Sequence, residues 1–240
     1  MAFVSSMDSR VAVGLLNATG YARGFSITST MEALDVTTLA DRAKAFIVGL
    51  NTSTATLDML LDTTGTTNAQ YQAFNAMKAT GPYPITLGVE GFTTGDPVIL
   101  INGHLTELGQ SSTNADVVTA TANHQGTGGT DLGVAVEDFT AIVATGNGTA
   151  RDLTASSARG GVAHLHVTGF ATLTSDTITI EHSVDGSTSW ATLVTFTAVT
   201  ALTSQRVEVA DGTTVRRYLR VVDTFSGSGS CTRAVFFARR

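Results

Sequence analysis

Residues 32–49, EALDVTTLADRAKAFIVG, decide how this 240-residue chain is interpreted. The segment connects two stretches whose pattern predicts β-strands, residues 25–30 before it and residues 44–50 at its end. It is therefore a connection of unusual length. Loops longer than about 12 to 15 residues are uncommon in compact domains and are usually binding segments or disordered linkers. This one carries too many large apolar residues for a disordered linker. We therefore interpret residues 31–48 as a loop that contacts a partner.

Six side chains of this loop are predicted to make that contact. Three are apolar and would bury surface, and three are charged and would set the orientation of the contact. They are Leu34, Val36 and Leu39, and Asp35, Arg42 and Lys44. The mixture predicts an interface between subunits.

The same loop resembles the interlocking loop of the major tail tube proteins of long-tailed, non-contractile bacteriophages, in particular those that infect actinobacteria. The opening residues 1–29, MAFVSSMDSRVAVGLLNATGYARGFSITS, are similar to that family. So are TATLDMLLD at residues 54–62 and RAVFFARR at residues 233–240. Residues 102–159 are the least similar, and the resemblance depends on the order of the matching segments.

The resemblance implies a structural virion protein of a siphovirus and not an enzyme. In that family, six copies form a ring and rings stack into a tail tube. The N-terminal sheets line a channel that conducts genomic DNA during ejection without binding it specifically. The resemblance also implies assembly in the bacterial cytoplasm, residence in the virion tail, and contacts with tape measure, distal tail and terminator proteins. It implies no membrane partner.

Composition predicts a mainly β protein, since threonine and glycine are abundant and only 14% of residues are charged. With the resemblance, this implies a tail-tube-type β-sandwich or barrel over residues 1–150 with one packed α-helix at about residues 68–79. The resemblance also implies that a C-terminal β-sandwich over residues 151–240 is an outer decoration domain. The boundary is placed in a stretch rich in Gly, Ala, Ser and Thr at residues 145–161.

Local patterns place the elements within these two parts. Thr67 and Gln70 form a capping-box pattern before apolar residues at helical spacing, which predicts the helix. The C-terminal part is predicted to contain six short strands at regular spacing, a pattern typical of a β-sandwich. They are placed at residues 162–170, 177–183, 190–197, 205–210, 215–222 and 231–238.

The net charge of −6 is distributed unevenly. Residues 1–145 contain 5 basic and 13 acidic side chains, a balance of −8, whereas residues 146–240 contain 9 and 7, a balance of +2. A surface that grips nucleic acid needs clustered Lys and Arg to neutralise phosphates. The N-terminal part is therefore predicted not to bind DNA, although DNA could pass an acidic surface.

Few residues suggest chemistry. His164 and His166 would point to the same side of a strand, as two metal ligands could, but no third ligand stands at a fitting spacing. Histidines that are exposed or hydrogen-bonded are therefore the expectation. Nothing resembles a P-loop or the nucleophile elbow of a serine hydrolase. We predict no catalytic, cofactor-binding or metal site.

Two surface interpretations stay open in the C-terminal part. Arg216, Tyr218 and Arg220 would share one face of a strand, either as a solvated surface or as a contact with an acidic neighbouring subunit. Trp190 could stack on a sugar, although a tryptophan buried in the sandwich is the commoner arrangement.

Other functions are kept as alternatives. A β-sandwich adhesin or glycan-binding protein would also be mainly β, but it would carry a secretory signal, which the N-terminus does not resemble. A capsid decoration protein would form discrete trimers or caps. A hydrolase would need a convergent cluster of acid, base or nucleophile.

Overall fold

The computed structural model describes residues 8–40, 42–62, 69–79, 81–113 and 117–240. Within these ranges the chain is mainly β with antiparallel pairing and a single α-helix, so the predicted fold class is confirmed. The elements of the N-terminal part are β1 (Arg10–Val13), β2 (Leu16–Asn17), a short 3-10 helix (Ala18–Gly20), β3 (Ala22–Asp35), β4 (Phe46–Leu60), α1 (Ala69–Ala79), β5 (Tyr83–Gly88), β6 (Pro97–Ser111), β7 (Thr119–Gly126), β8 (Asp131–Ile142) and β9 (Gly146–Asn147). Those of the C-terminal part are β10 (Arg151–Asp152), β11 (Gly161–Ser183), β12 (Ala191–Thr195), β13 (Thr203–Val209) and β14 (Tyr218–Arg239).

The N-terminal part is a curved antiparallel sheet in the order β3-β4-β7-β6-β5-β1-β2. Its core follows from the alternation in β4, where Leu57 and Met59 are buried while Thr56 and Asp58 face outward. Helix α1 adds Phe74 to this core. The helix confirms the prediction at Ala69–Ala79, whereas its predicted first residue and the capping threonine before it lie outside the described ranges.

The C-terminal part is a β-sandwich, but its strands are longer than predicted. Residues 162–170 and 177–183 belong to one 23-residue strand, β11, and the last two predicted strands belong to the 22-residue β14. These two strands pair along nearly their whole length, with register shifts near their middle. The left-handed backbone of Thr172 and Gly227 lies at these shifts, so the ladder bends without ending.

The two parts are joined in one continuous sheet. Strand β8 of the N-terminal part pairs with β14 from Ile142 opposite Cys231 to Val134 opposite Phe237. A core cluster spans the junction and packs Phe236 of β14 against Phe92 of the N-terminal part, with ring centroids 4.7 Å apart. The division into a tube domain and a decoration domain stays a prediction, and the two parts share buried surface.

The two histidines that were considered as possible metal ligands also lie at this junction. His164 and His166 are fully buried, and the hydroxyl oxygen of Thr86 lies 3.1 Å from His164 Nδ1 and 2.9 Å from His166 Nε2. His166 Nδ1 lies 2.8 Å from the carbonyl oxygen of Gly14. Burial lowers the pKa of His166 to about 4 and also lowers that of His164, so both rings are neutral near pH 7. The pair ties β11 to the N-terminal sheet.

Candidate assembly interface

The predicted contact loop is largely a β-hairpin. Beyond the body of the N-terminal sheet, β3 and β4 continue as a two-stranded arm, defined here as residues 28–51, with Met31 opposite Asn51 and Asp35 opposite Phe46. Among the described residues of the arm, residues 36–40 and 42–45 are without strand structure. The loop predicted for residues 31–48 is therefore shorter than expected, because apolar residues on both of its flanks pair across the hairpin.

The arm leaves large apolar side chains uncovered on both of its faces. Opposed residues of an antiparallel pair point to the same face, so Leu34 and Ile47 lie on one face while Phe46 and Val48 lie on the other. Their exposed fractions are 41%, 53%, 55% and 73% in that order. A contiguous apolar surface that the rest of the chain does not cover marks an interaction site.

The tip of the arm is ordered by local hydrogen bonds. The Thr37 amide and hydroxyl donate to Asp35 Oδ1 at 2.9 and 2.5 Å, and these bonds lower the pKa of the Asp35 carboxyl. The Ala45 amide donates to the Thr37 hydroxyl at 2.9 Å, and the Val36 amide donates to the Ala45 carbonyl at 2.9 Å. Asp35 is therefore engaged within the tip as well as available for orienting a contact.

All six predicted contact residues lie on the arm. Leu34 and Asp35 end β3, while Val36, Leu39, Arg42 and Lys44 lie in the tip. Each is exposed, and Leu39 projects fully into solvent. Phe46, Ile47 and Val48 belong to the same exposed surface; the sequence placed them in this loop as apolar residues but not among the six predicted contacts. Their role as contacts stays a prediction.

At the base of the arm, strands β3, β4, β7 and β6 form a sheet whose outer face is polar. One row crosses three strands: Thr56 donates to Asn123 Oδ1 at 2.9 Å, and Asn123 Nδ2 donates to Glu107 at 3.0 Å. In the next row, Thr121 donates to Asp58 Oδ1 at 2.6 Å. The strand segments 24–30, 52–60, 104–111 and 119–126 contain no lysine or arginine. This polar face is hydroxyl-rich and carries the carboxylates of Asp58 and Glu107, with Arg23 at its end beside Asp58.

Both outer edges of this four-stranded sheet are open within the part of the chain that the structure describes. Strand β3 pairs only with β4. Strand β6 pairs with β5 up to Gly103, and from His104 onward it pairs only with β7. Open edges present rows of unpaired backbone N–H and C=O groups, which can pair with another chain.

Two arginines of the β14 region are engaged by nearby carboxylates, whereas Arg216 donates to the Ser189 carbonyl at 2.9 Å. Arg217 Nε and Nη2 donate to Asp152 at 2.7 and 2.6 Å, and Arg220 donates to Glu181 at 2.9 and 2.6 Å. The guanidinium of Arg220 also lies 4.2 Å from the ring centroid of Trp190. Trp190 is partly buried, just before β12, with this arginine over its ring, so it is not a fully buried residue of the sandwich core.

The described ranges contain neither a metal-binding cluster nor a membrane-spanning helix. Among these residues, no group of three or more His, Cys, Asp or Glu side chains is arranged to hold a metal ion. No helix in these ranges has the length and apolar character needed to cross a membrane.

Neither a family model nor a curated protein matches this chain. Among solved structures, the virion of a native gene transfer agent particle matches over 53% of this chain and 97% of that chain, with a TM-score of 0.43 and 12% identity. The tail of an empty gene transfer agent particle, refined with C6 symmetry, matches over 52% and 96%, with a TM-score of 0.41 and 13% identity. The SPP1 Dit protein, described as a paradigm of the hub adsorption apparatus in phages that infect Gram-positive bacteria, matches over 97% and 99%, with a TM-score of 0.39 and 11% identity. Likeness at this level establishes neither family nor function.

Proposed function

We propose that this protein is a structural subunit that polymerises through its arm into the tail tube of a long-tailed, non-contractile bacteriophage. The observation that carries the proposal is the arm, whose apolar side chains are exposed on both faces. The resemblance of its sequence to the interlocking loop of tail tube proteins agrees with this geometry.

An arm that is apolar on both faces suits insertion between two surfaces. If the arm lay flat on one partner, only one of its faces would be buried. The apolar side chains of the other face, either Phe46 and Val48 or Leu34 and Ile47, would stay exposed to water. Copies of the same chain are the simplest source of both surfaces. The arm would then join one subunit to subunits of the next ring.

The open edges of the sheet support ring closure. The edge of β3 in one copy can pair with the edge of β6 beyond His104 in the next, by backbone hydrogen bonding between strands. Such a contact joins two different surfaces, so it closes into a ring when the rotation between copies closes. A ring of six is the number that the sequence resemblance implies.

The polar face of this sheet is proposed to line the channel. Asp58 and Glu107 add negative charge to a surface of hydroxyl and amide groups, and Arg23 lies at its end beside Asp58. DNA would therefore pass without sticking, because counterion release on basic side chains is what binds it.

Negative-stain electron microscopy of the purified full-length chain tests this proposal. We expect hollow filaments of uniform width that grow with protein concentration. A preparation that contains only compact particles at all concentrations would contradict polymerisation, and discrete trimers or caps would instead support a capsid decoration protein. A soluble monomer that binds a glycan array would support the adhesin alternative, for which the partly exposed Trp190 is the specific observation.

A further inference from the structure

Five ionisable side chains form a cluster where β8 of the N-terminal part meets β11 and β14 of the C-terminal part. They are Glu137 on β8, Asp176 on β11, and Asp223, Cys231 and Arg233 on β14. Asp176 and Arg233 have no exposed surface, and Asp223 is 3% exposed. Ionised groups are rarely buried to this extent unless each charge has a partner.

Arg233 is the positive charge of the cluster, and two carboxylates already share it. Its Nε donates to Asp223 Oδ1 at 2.9 Å, and its Nη2 donates to the other oxygen of Asp223. Its Nη1 lies 2.9 Å from Glu137 Oε2. Its Nε and Nη2 thus bind Asp223, its Nη1 faces Glu137 without a hydrogen bond, and within the described ranges no hydrogen bond joins the guanidinium to Asp176.

Asp176 therefore stands beside the negative charge of Asp223, with the thiol of Cys231 as a weak potential donor. Both of its carboxylate oxygens lack a hydrogen-bond partner within the described part of the chain. Its neighbours are the carboxylate of Asp223 and the thiol of Cys231. A protonated carboxyl has an O–H that can donate to Asp223, whereas an ionised one can only accept. Burial and the charge of Asp223 raise the pKa of Asp176 to about 6, and burial raises that of Cys231 to about 12, so the thiol stays neutral.

We propose that Asp176 carries a proton in the native state, shares it with Asp223, and makes this cluster a pH-sensitive lock between β8, β11 and β14. Loss of the proton places a third negative charge in a cluster with one cation, and the strands that hold it are driven apart. The charged or titratable groups that face Asp176 are Asp223, Cys231 and Arg233 from β14, with Glu137 beyond Arg233 on β8. The inference does not depend on the proposed tail tube.

Thermal unfolding of the full-length chain between pH 5 and pH 8 tests the lock, with Asp176→Asn as a neutral variant of nearly the same shape. A carboxyl whose pKa is raised in the native state holds more protons there than when unfolded, so its stabilising effect is lost as pH rises through about 6. We expect the Tm of Asp176→Asn relative to the wild type to increase by about 3 to 6 °C from pH 5 to pH 8. The histidines are the same in both proteins, so their contribution to the pH dependence cancels in the Tm difference.

Asp211→Asn is the matched control, because Asp211 is an exposed aspartate of the same part of the chain. Its Tm difference from the wild type should not change with pH. A difference for Asp176→Asn that is also constant with pH would overturn the proposal. If Asp176→Asn does not fold, a carbon-13 NMR titration of the wild-type aspartate carboxyls decides: one must titrate near pH 6, and a set that titrates entirely near the ordinary value of about 3.9 would refute the lock.

Discussion

The double substitution Leu34→Asp and Leu39→Asp tests whether the arm joins subunits. The exposed fractions of the two side chains, 41% and 109%, amount to about one and a half leucines. Burying that surface is worth about 3 kcal/mol, or about a 100-fold change in the dissociation constant of one contact. Two buried carboxylates add a further penalty. Since both residues are uncovered in the free chain, we expect an unchanged Tm, and no filaments by electron microscopy or sedimentation at concentrations where the wild type polymerises.

The matched control is Val184→Asp with Leu202→Asp, which changes two side chains that are 59% and 50% exposed in the C-terminal part. This variant should polymerise like the wild type. Filaments of the arm variant at the wild-type critical concentration would refute the arm as the joint. A large loss of Tm in the arm variant would show that the arm stabilises its own chain, which the structure contradicts.

Three further outcomes are expected. The double substitution Thr56→Lys and Asn123→Lys puts cations on the polar face. Tubes assembled from this variant should retain nuclease-protected DNA at low salt and release it at high salt. An equal DNA content in tubes of the variant and of the wild type would argue that this face does not line the channel. Removing residues 158–240 takes Phe236 from the shared core, so the remaining chain should be insoluble and lack a cooperative unfolding transition, whereas thinner tubes would indicate an independent outer domain. The pKa of His166 is lowered, so below about pH 6.5 the native state binds fewer protons than the unfolded state. The free energy of unfolding, measured with urea, should therefore fall by about 3 kcal/mol from this group between pH 6.5 and about pH 4. A free energy of unfolding that is constant over this range would contradict the burial of His166.

The mainly β fold, the helix and the position of the protruding segment could be predicted because each has a local signal. Alternation in β4 gives a period of two, and apolar residues at helical spacing mark α1. The protruding segment was interpreted as a loop because its centre, ADRAK, is polar and lacks a strand pattern. The flanks of that centre, MEALD and FIVGL, are mostly apolar, and they pair with each other and extend the hairpin instead.

The features that were not predicted depend on contacts between distant residues. Thr86 and His166 are 80 positions apart, so no local pattern reveals the bond that ties β11 to the N-terminal sheet. The continuous strands β11 and β14 were divided because glycines and small residues at their bends have the composition of turns. Asp176 looked like an ordinary polar residue before a strand, and only the fold places it beside Asp223.

The arm leaves the sheet at one end, and this gives the subunit a direction. In the proposed polymer, a copy that accepts an arm from its neighbour would offer its own arm to the next copy, so each addition would create a new binding end. The contact between subunits would set no limit on the length of such a polymer. A finished structure of defined size would therefore need other molecules, one to measure it and one to cover the last arms.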